Sequence, residues 1–465
     1  MKLVLLSGGS GKRLWPLSND TRSKQFLKVL KDENAQNQSM VQRVWGQLKT
    51  VGLANSAVIA TSKMQRDMIH SQVGFDVPLI IEPERRDTFP AIALAASYLY
   101  TVQNVSEDEI IAVLPVDPFV ETTFFDKVKQ LEEAVKQSKA DLGLLGVQPT
   151  YPSTKYGYIV PNSSEDTNSY KTVSSFAEKP NEEKAQRLLE QNALWNCGVF
   201  AFKLKYILEI LENKNLPLDY YHLEANYSEL PKISFDYEVV EKADKIIVLP
   251  YDGYWKDLGT WNTLTEEMTV NKIGKGVISS DSKNTHLINE LDIPVTIVGL
   301  DDVVVAVSPD GILVSDKAKS PNIKELISQF DSPPMYEERV WGWSKTLDYG
   351  KYDGGQEMIT KRICIREGSN SSYHFHNMRD EVWTIVRGEG ELALDSEILN
   401  VKAGDTIHLP AGKRHGIKAT SELEFIEVQT GINISEEDFT RLLFKWDDVV
   451  KYIEERKEEK IPSIN

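Results

Sequence analysis

Leu3-Val4-Leu5-Leu6-Ser7-Gly8-Gly9-Ser10-Gly11-Lys12-Arg13-Leu14-Trp15-Pro16-Leu17 decides the first half of this chain: a short apolar run passes directly into a glycine-rich loop with two cations. Four consecutive apolar residues ahead of turn residues read as a strand buried on both faces. Glycines let the backbone approach a ligand closely. Successive backbone N–H groups can then cradle phosphate oxygens, with Lys12 and Arg13 adding charge. Two familiar phosphate loops are excluded. A Walker A loop needs glycine where Leu6 stands and Ser or Thr where Arg13 stands; a dinucleotide fingerprint needs its third glycine where Leu14 stands. An isolated Gly-Gly-x-Gly is as often a plain turn, so the surroundings must decide.

Outward from this loop, apolar runs at Leu3–Leu6, Ala57–Thr61, Leu79–Ile81, Ile110–Leu114 and Leu142–Val147 alternate with stretches of helical spacing such as Thr88–Thr101 and Phe124–Gln137. This strand–helix alternation predicts an α/β domain over residues 1–265, a mostly parallel sheet covered by helices on both faces. Ligands in such sheets bind beyond the carboxyl ends of the strands. Over 266–330, short β-branched runs (Val295–Val298, Val303–Val307, Ile312–Val314) broken by Asp, Gly and Pro predict a small all-β connecting region. The DSPP of residues 331–334 marks a boundary, and the closely spaced strand-like runs of 331–465 predict a small β-barrel or sandwich. Ser435 to Lys460 is helical in pattern; its KYIEERKEEK run reads as a solvated helix face.

The chain has 465 residues, 41% hydrophobic and 26% charged, an ordinary globular composition. A formal charge of −17 argues against nucleic acid as a partner, though not against a local basic pocket for phosphates. The two cysteines, Cys197 and Cys364, form no C-x-x-C pair, which suits a reducing cytoplasm. No run of ~18 apolar residues is present, so no membrane association is expected.

The whole string GGSGKRLWPLS with SKQFL (23–27) is more specific than its glycines, and resembles the signature of the mannose-1-phosphate guanylyltransferase family. The resemblance continues in order over residues 1–330: IEPERRDTFPAIALAA (81–96), VLPVDPFV (113–120), YGYI (156–159), FAEKP (176–180), WNCGVFAF (195–202), FDYEVVEK (235–242), WKDLGTWN (255–262) and GLDDVVVAVSPDGILVSDKAKSPNIKELI (299–327). It implies a Rossmann-like nucleotidyltransferase domain that joins a nucleoside triphosphate to a sugar 1-phosphate and releases pyrophosphate. Such transfer needs no covalent nucleophile. It needs two anionic substrates positioned and their charge neutralised, usually with Mg²⁺ held by a few carboxylates. The resemblance puts Gly8, Gly9, Gly11 and Arg13 on the triphosphate and Arg86 near the base. It makes Lys24 a phosphate-binding lysine, Asp117 and Asp257 the metal carboxylates, and Glu178, Lys179 and Asn196 the holders of the sugar phosphate. Trp255 and Trp261 read as packing. Three positions depart from the family: Pro118 replaces a histidine, Asp87 an asparagine and Ser23 a proline. They leave open another base or sugar.

A second constellation lies near the C-terminus. Gly368 is followed after five residues by His374-Phe375-His376, after four more by Glu381 and after six more by Gly388; Gly404 is followed after five by Pro410-Ala411-Gly412 and after two more by His415. These are the spacings of the two cupin motifs. His374 and His376, two apart, share one strand face. Three imidazoles and a carboxylate suit a divalent transition metal (Zn, Mn, Fe, Co or Ni) with open coordination positions. His408 is left out on strand alternation. In the guanylyltransferase family such a domain is often a type II phosphomannose isomerase. Arg379, Glu381, Trp383, IEVQTG (426–431) and EEDFTR (436–441) follow that pattern, whereas His374, the HGIKA of 415–419 and Trp446-Asp447-Asp448 do not. The cupin is thus read as an isomerase, another sugar-phosphate enzyme or a metal-stabilised module, and the resemblance implies a homo-oligomer. A rival from another class is a nucleotide-sugar sensor; intact Arg13, Lys24, Asp117 and Asp257 speak against it.

Overall fold

Leu3 and Leu5 pack into the hydrophobic cluster on one face of a sheet and Val4 into the cluster on the other, so the opening strand, Lys2–Ser7, is buried on both sides. The same alternation recurs in Ala57–Ser62 and Ile110–Pro115, its two parallel neighbours. The computed structural model describes residues 1–9, 12–19, 21–162, 169–330, 334–432, 434 and 438–459. Gly11, and residues 331–333 of the expected boundary, lie outside the described residues.

Among the described residues the sheet has nine strands, in the order Leu79–Glu82, Ala57–Ser62, Lys2–Ser7, Ile110–Pro115, Leu194–Lys203, Leu142–Val147, Ile246–Tyr251, Lys171–Ala177 and Tyr158–Pro161. The first four run parallel, as expected from the strand–helix alternation. The sheet as a whole is mixed, because Leu194–Lys203 runs antiparallel to both of its main neighbours and the last two strands form an antiparallel pair. After Lys2–Ser7 the chain pairs first on one side, through Ala57–Ser62, and then on the other, through Ile110–Pro115. The Gly8-Gly9 loop therefore sits at the point where the strand order reverses, where open α/β sheets take their ligands.

Helix Thr88–Thr101 buries most of its residues against this sheet. Asp87 caps it by accepting from the Thr88 N–H at 2.8 Å, and Pro90 falls in the first turn, where its missing N–H costs nothing.

The stretch after Glu267 stacks short parallel rungs, Lys272–Ile273 on His286–Asn289 on Val303–Ser308, and closes on the helix Ile323–Ile327. Its Ile288, Val304 and Ala306 share one core with Leu14, Leu17 and Leu27 and with the fully buried Trp261, whose indole N–H donates to the Trp15 carbonyl at 3.1 Å.

The last part is a barrel of two antiparallel sheets, one of six strands and one of five. Its entry strand, Tyr336–Arg339, wedges against the first half. Glu338 holds Ser71 Oγ (2.7 Å), Lys28 (3.3 Å) and Arg366 (3.4 Å), and together these groups overcome burial to keep its carboxyl below the usual range. The C-terminal segment corrects one expectation. Thr440–Leu443 is a strand paired with Tyr373–Phe375, and only Trp446–Glu459 is helix. A partner strand waiting in the barrel overrides the local helical pattern. The helix is not simply solvated: Trp446, Val449 and Ile453 pack on Tyr373 and Ala393.

Candidate active sites

The first site forms along the carboxyl ends of the parallel strands. Asp117 follows Ile110–Pro115. Asp257 ends the short strand Trp255–Asp257, whose antiparallel register with Pro118–Val120 sets Asp257 opposite Pro118 and so beside Asp117. Lys24 reaches between them, its Nζ 2.9 Å from Asp117 Oδ2 and 2.9 Å from Asp257 Oδ1. Burial alone would lower the Lys24 ammonium, but the two carboxylates hold it above its usual range. Burial likewise favours the neutral form of Asp257, and Lys24, Arg13 and Lys155 outweigh it and keep the carboxylate charged. Two adjacent carboxylates already sharing one cation are a donor set that fits Mg²⁺.

Gly9, at φ +116°, turns the loop and lines a cavity with Lys24. Its carbonyl accepts from Ser23 Oγ (2.9 Å) and Gln65 Nε2 (3.3 Å), and Gln65 also donates to Ser23 Oγ at 2.6 Å. Ser23, which departs from the family, is thus a buried latch on the loop. Arg13 is exposed and lines the loop's small cavity with Lys12 and Lys24.

A cleft of about 770 Å³ is lined by Gly8, Gly9 and Asp117, by Arg86 and Asp87, and by Glu178, Lys179 and Asn196. Arg86 donates to the Leu230 carbonyl (2.8 Å) and to Glu84 (2.8 Å). Glu178 pairs with Lys179 at 2.7 Å. Asn196 Nδ2 donates to Asp236 Oδ1 at 2.6 Å, while its own Oδ1 accepts from the Gly198 N–H at 3.0 Å. Burial, and next the Glu178 carboxylate, push Asp236 up to about 6. Gly157 leaves room for Glu178 here: a Cβ would stand 2.5 Å from Glu178 Oε2, and the carboxylate would have to shift. Sequence reasoning did not single out Asp236, Gln65, Lys155 or Lys324, which reaches the cleft from the connecting region. Asp236 and Lys324 lie inside the FDYEVVEK and SPNIKELI blocks; Gln65 carries no motif.

The second site lies inside the barrel. His374 and His415 stand directly opposite each other on antiparallel strands, and His376 follows on the same face as His374. Each imidazole turns Nδ1 to a backbone carbonyl: Ser372 at 2.7 Å, Asp438 at 2.7 Å and Lys413 at 2.9 Å for His374, His376 and His415 respectively. That fixes the proton on Nδ1 and leaves Nε2 as a lone-pair donor. Ligand nitrogens of the three lie within 4.8 Å of one another, and His415 Nε2 is buried with no hydrogen-bond partner among the described residues. An orphaned buried acceptor facing two more is what a metal site requires. Burial holds His374 well below the usual range and His376 near 4, so both are neutral and able to ligate. Glu381 is 3.3 Å from His376 Nε2 and 3.5 Å from His415 Nε2, and also holds Arg379, Trp383 Nε1 and Gln429, each at 3.1 Å. His408 is exposed on a different strand. Glu427, which sequence reasoning passed over within IEVQTG, lines this pocket; burial and then Glu381 push its carboxyl up to about 8.

Fold and sites together define a nucleotidyltransferase with an appended cupin whose three histidines could hold a metal. The chain matches the nucleotidyl transferase family over residues 2–272 and the cupin domain over 361–429. It is 32% identical to the xanthan biosynthesis protein XanB of Xanthomonas campestris pv. campestris over 94% of this chain and 97% of that one. It is 30% identical to a putative mannose-1-phosphate guanylyltransferase of Vibrio cholerae over 94% and 98%. Among solved structures, a mannose-1-phosphate geranyltransferase from Thermus thermophilus is similar at a TM-score of 0.58 and 25% identity, covering 70% of this chain and 98% of that one. The chain belongs to the mannose-1-phosphate guanylyltransferase family. No helix among the described residues is long and apolar enough to cross a membrane.

Proposed function

We propose that the first half transfers a guanylyl group from GTP to mannose 1-phosphate, releasing pyrophosphate, and that the cupin half is a metal-dependent isomerase of mannose 6-phosphate and fructose 6-phosphate. The observation that carries the first reading is Lys24 clasped between Asp117 and Asp257 beneath the Gly8-Gly9 loop, at the switch point of the sheet. The sugar-phosphate oxygen forms a bond to the α-phosphorus as the bond to pyrophosphate breaks. Gly8 and Gly9 cradle the triphosphate, with Gly11 assigned to the same role. Arg13 and Lys24 neutralise its charge. Asp117 and Asp257 would hold Mg²⁺, which when bound draws charge from the reacting phosphates. Glu178, Lys179 and Asn196 orient the sugar phosphate for in-line attack. Arg86 and Asp87 border the base, and the exposed Asp87 carboxylate suits the N–H edge of guanine.

For the cupin, the supporting observation is a three-histidine centre with a buried carboxyl, Glu427, in the same pocket, its proton affinity raised by burial and then by Glu381. A carboxyl in reach of the reacting carbons is the kind of group that can take and return a proton, which aldose–ketose exchange demands. His374, His376 and His415, with Glu381 beside them, would hold the transition metal.

The test is pyrophosphate release from Mg²⁺, mannose 1-phosphate and each of the four nucleoside triphosphates in turn. Strong preference for GTP is expected. Preference for another triphosphate would overturn the base assignment and implicate Asp87 and Pro118. Release from none, with any sugar 1-phosphate, would make the first half a nucleotide-sugar sensor.

A further inference from the structure

The cupin pocket is small, about 130 Å³, and its lining includes a residue of the first half, Asp67. Asp67, Trp341, Ser372 and Arg441 also line a second cleft, of about 520 Å³, between helix Arg66–Val73 and the barrel. The metal pocket thus continues into an interdomain vestibule. The two chambers differ in charge. The inner one collects the acids Glu381, Glu427 and Glu337 among its cations. Among the described residues, the vestibule lining brings Arg66, Arg441 and Lys445 together with one acid, Asp67, in a chain whose net charge is −17. That acid is already engaged, 3.3 Å from Arg66 Nε and 3.8 Å from Arg339.

Aromatic packing links the two chambers. The Phe439 ring stacks on His374 at 4.2 Å and 18°, and the Arg441 guanidinium lies 5.0 Å from the centroid of the same ring and 4.8 Å from that of Phe444. Arg441 Nε is 3.3 Å from Ser372 Oγ, next to the carbonyl that orients His374. A molecule whose reacting carbons reach the histidines therefore has its far end beside Arg441. Guanidinium groups bind phosphate oxygens in pairs of parallel hydrogen bonds.

We propose that the vestibule holds the phosphate monoester of a hexose phosphate whose sugar end enters the histidine centre, and that Arg66, from the transferase half, is a ligand of that phosphate together with Arg441. The cupin site is then complete only when the first half is packed against it. This rests on reading the cupin as a sugar-phosphate isomerase, and the experiment separates the two claims.

Calorimetric titration of the full-length, metal-loaded chain with mannose 6-phosphate, inorganic phosphate and free mannose tests it, for the wild type and for Arg66→Ala, Arg66→Lys and Arg441→Ala. Both alanine variants should bind mannose 6-phosphate and inorganic phosphate at least tenfold more weakly, with free mannose unchanged and Arg66→Lys intermediate. Pyrophosphate release from GTP and mannose 1-phosphate, within twofold of wild type in Arg66→Ala, shows that the variant is folded. Wild-type affinity in Arg66→Ala overturns the composite site, as does an absence of mannose 6-phosphate binding to the wild type. Binding that depends on Arg66 without interconversion to fructose 6-phosphate supports the site and overturns the isomerase reading. Interconversion that ignores Arg66→Ala does the reverse.

Discussion

The transferase cleft and the cupin pocket prepare for their ligands in opposite ways. In the cleft, the side chains assigned to substrates are paired with each other: Lys24 with Asp117 and Asp257, Glu178 with Lys179, Asn196 with Asp236. A triphosphate and a cation must exchange those partners to bind. In the pocket, backbone carbonyls set the three imidazoles through Nδ1; His415 Nε2 has no hydrogen-bond partner among the described residues, and Arg379 Nη2 lies 3.0 Å from His376 Nε2. A site for large, varied, anionic substrates is served by charge that can be re-paired, whereas a small resident ion is served by fixed geometry.

The sharpest way to break that comparison is to damage each site and read the other. Asp257→Asn should lower pyrophosphate release about 10²–10³-fold, the size of loss when one preorganised group that stabilises transition-state charge is removed. Metal content of the cupin, measured by atomic emission, should not change. A fall in cupin metal would show that the two halves do not prepare their sites independently. In reverse, His376→Ala should weaken cupin metal affinity by more than the ~10–100-fold that loss of a supporting contact costs. Pyrophosphate release in Mg²⁺ should stay at the wild-type rate. Chelation followed by return of Mg²⁺ alone should behave the same way.

The comparison also explains what could be read without coordinates. Strand–helix alternation located Lys2–Ser7, Ala57–Ser62 and Ile110–Pro115 because each is buried on both faces and bounded by turn residues. The histidine spacing reached further, since a ligand pair two residues apart on a strand is a local fact and needs only one register, His374 against His415, to close. Gln65 and Arg66 were invisible. One latches the glycine loop and the other faces the cupin across the domain boundary, so their roles exist only through tertiary contact. The antiparallel course of Leu194–Lys203 was hidden for the same reason: an apolar strand carries no mark of its neighbours' direction. Thr440–Leu443 is the clearest miss, a segment of helical pattern claimed by a sheet edge.

A smaller effect probes how tightly the re-pairable charges are held. Gly157→Ala would set a Cβ 2.5 Å from Glu178 Oε2, 2.9 Å from the Phe176 ring and 3.3 Å from Asn196 Cβ. Glu178 must move, and misplacement of a positioning group by about 1 Å costs up to ~10²-fold. A rise of about tenfold in KM for mannose 1-phosphate is expected, with KM for GTP unchanged, in steady-state assays. An equal rise for both substrates would mean that Glu178 shapes the whole cleft rather than its sugar end.

The last test asks whether the cleft is kept ready at a cost to stability. Asp236 is pushed up to about 6 from an ordinary 3.8, by burial first and the Glu178 carboxylate second. The folded state then keeps a proton that the unfolded chain releases at lower pH. The contribution of this group is therefore fully present below about 3.8, falls as pH rises towards 6, and above that is a constant penalty of at most ~3 kcal/mol. Asp236→Asn keeps an oxygen for the Asn196 amide and removes the charge. Its thermal midpoint should match the wild type near pH 4, pull ahead as pH approaches 6 and lead by a constant few degrees at pH 7, at roughly 2–4 °C per kcal/mol. A variant less stable than wild type at pH 7 would mean that Lys179 holds Asp236 ionised in the fold. The cleft's acids would then be as fully satisfied as its lysines, and the contrast with the unpartnered His415 nitrogen of the cupin would be sharper than burial alone implies.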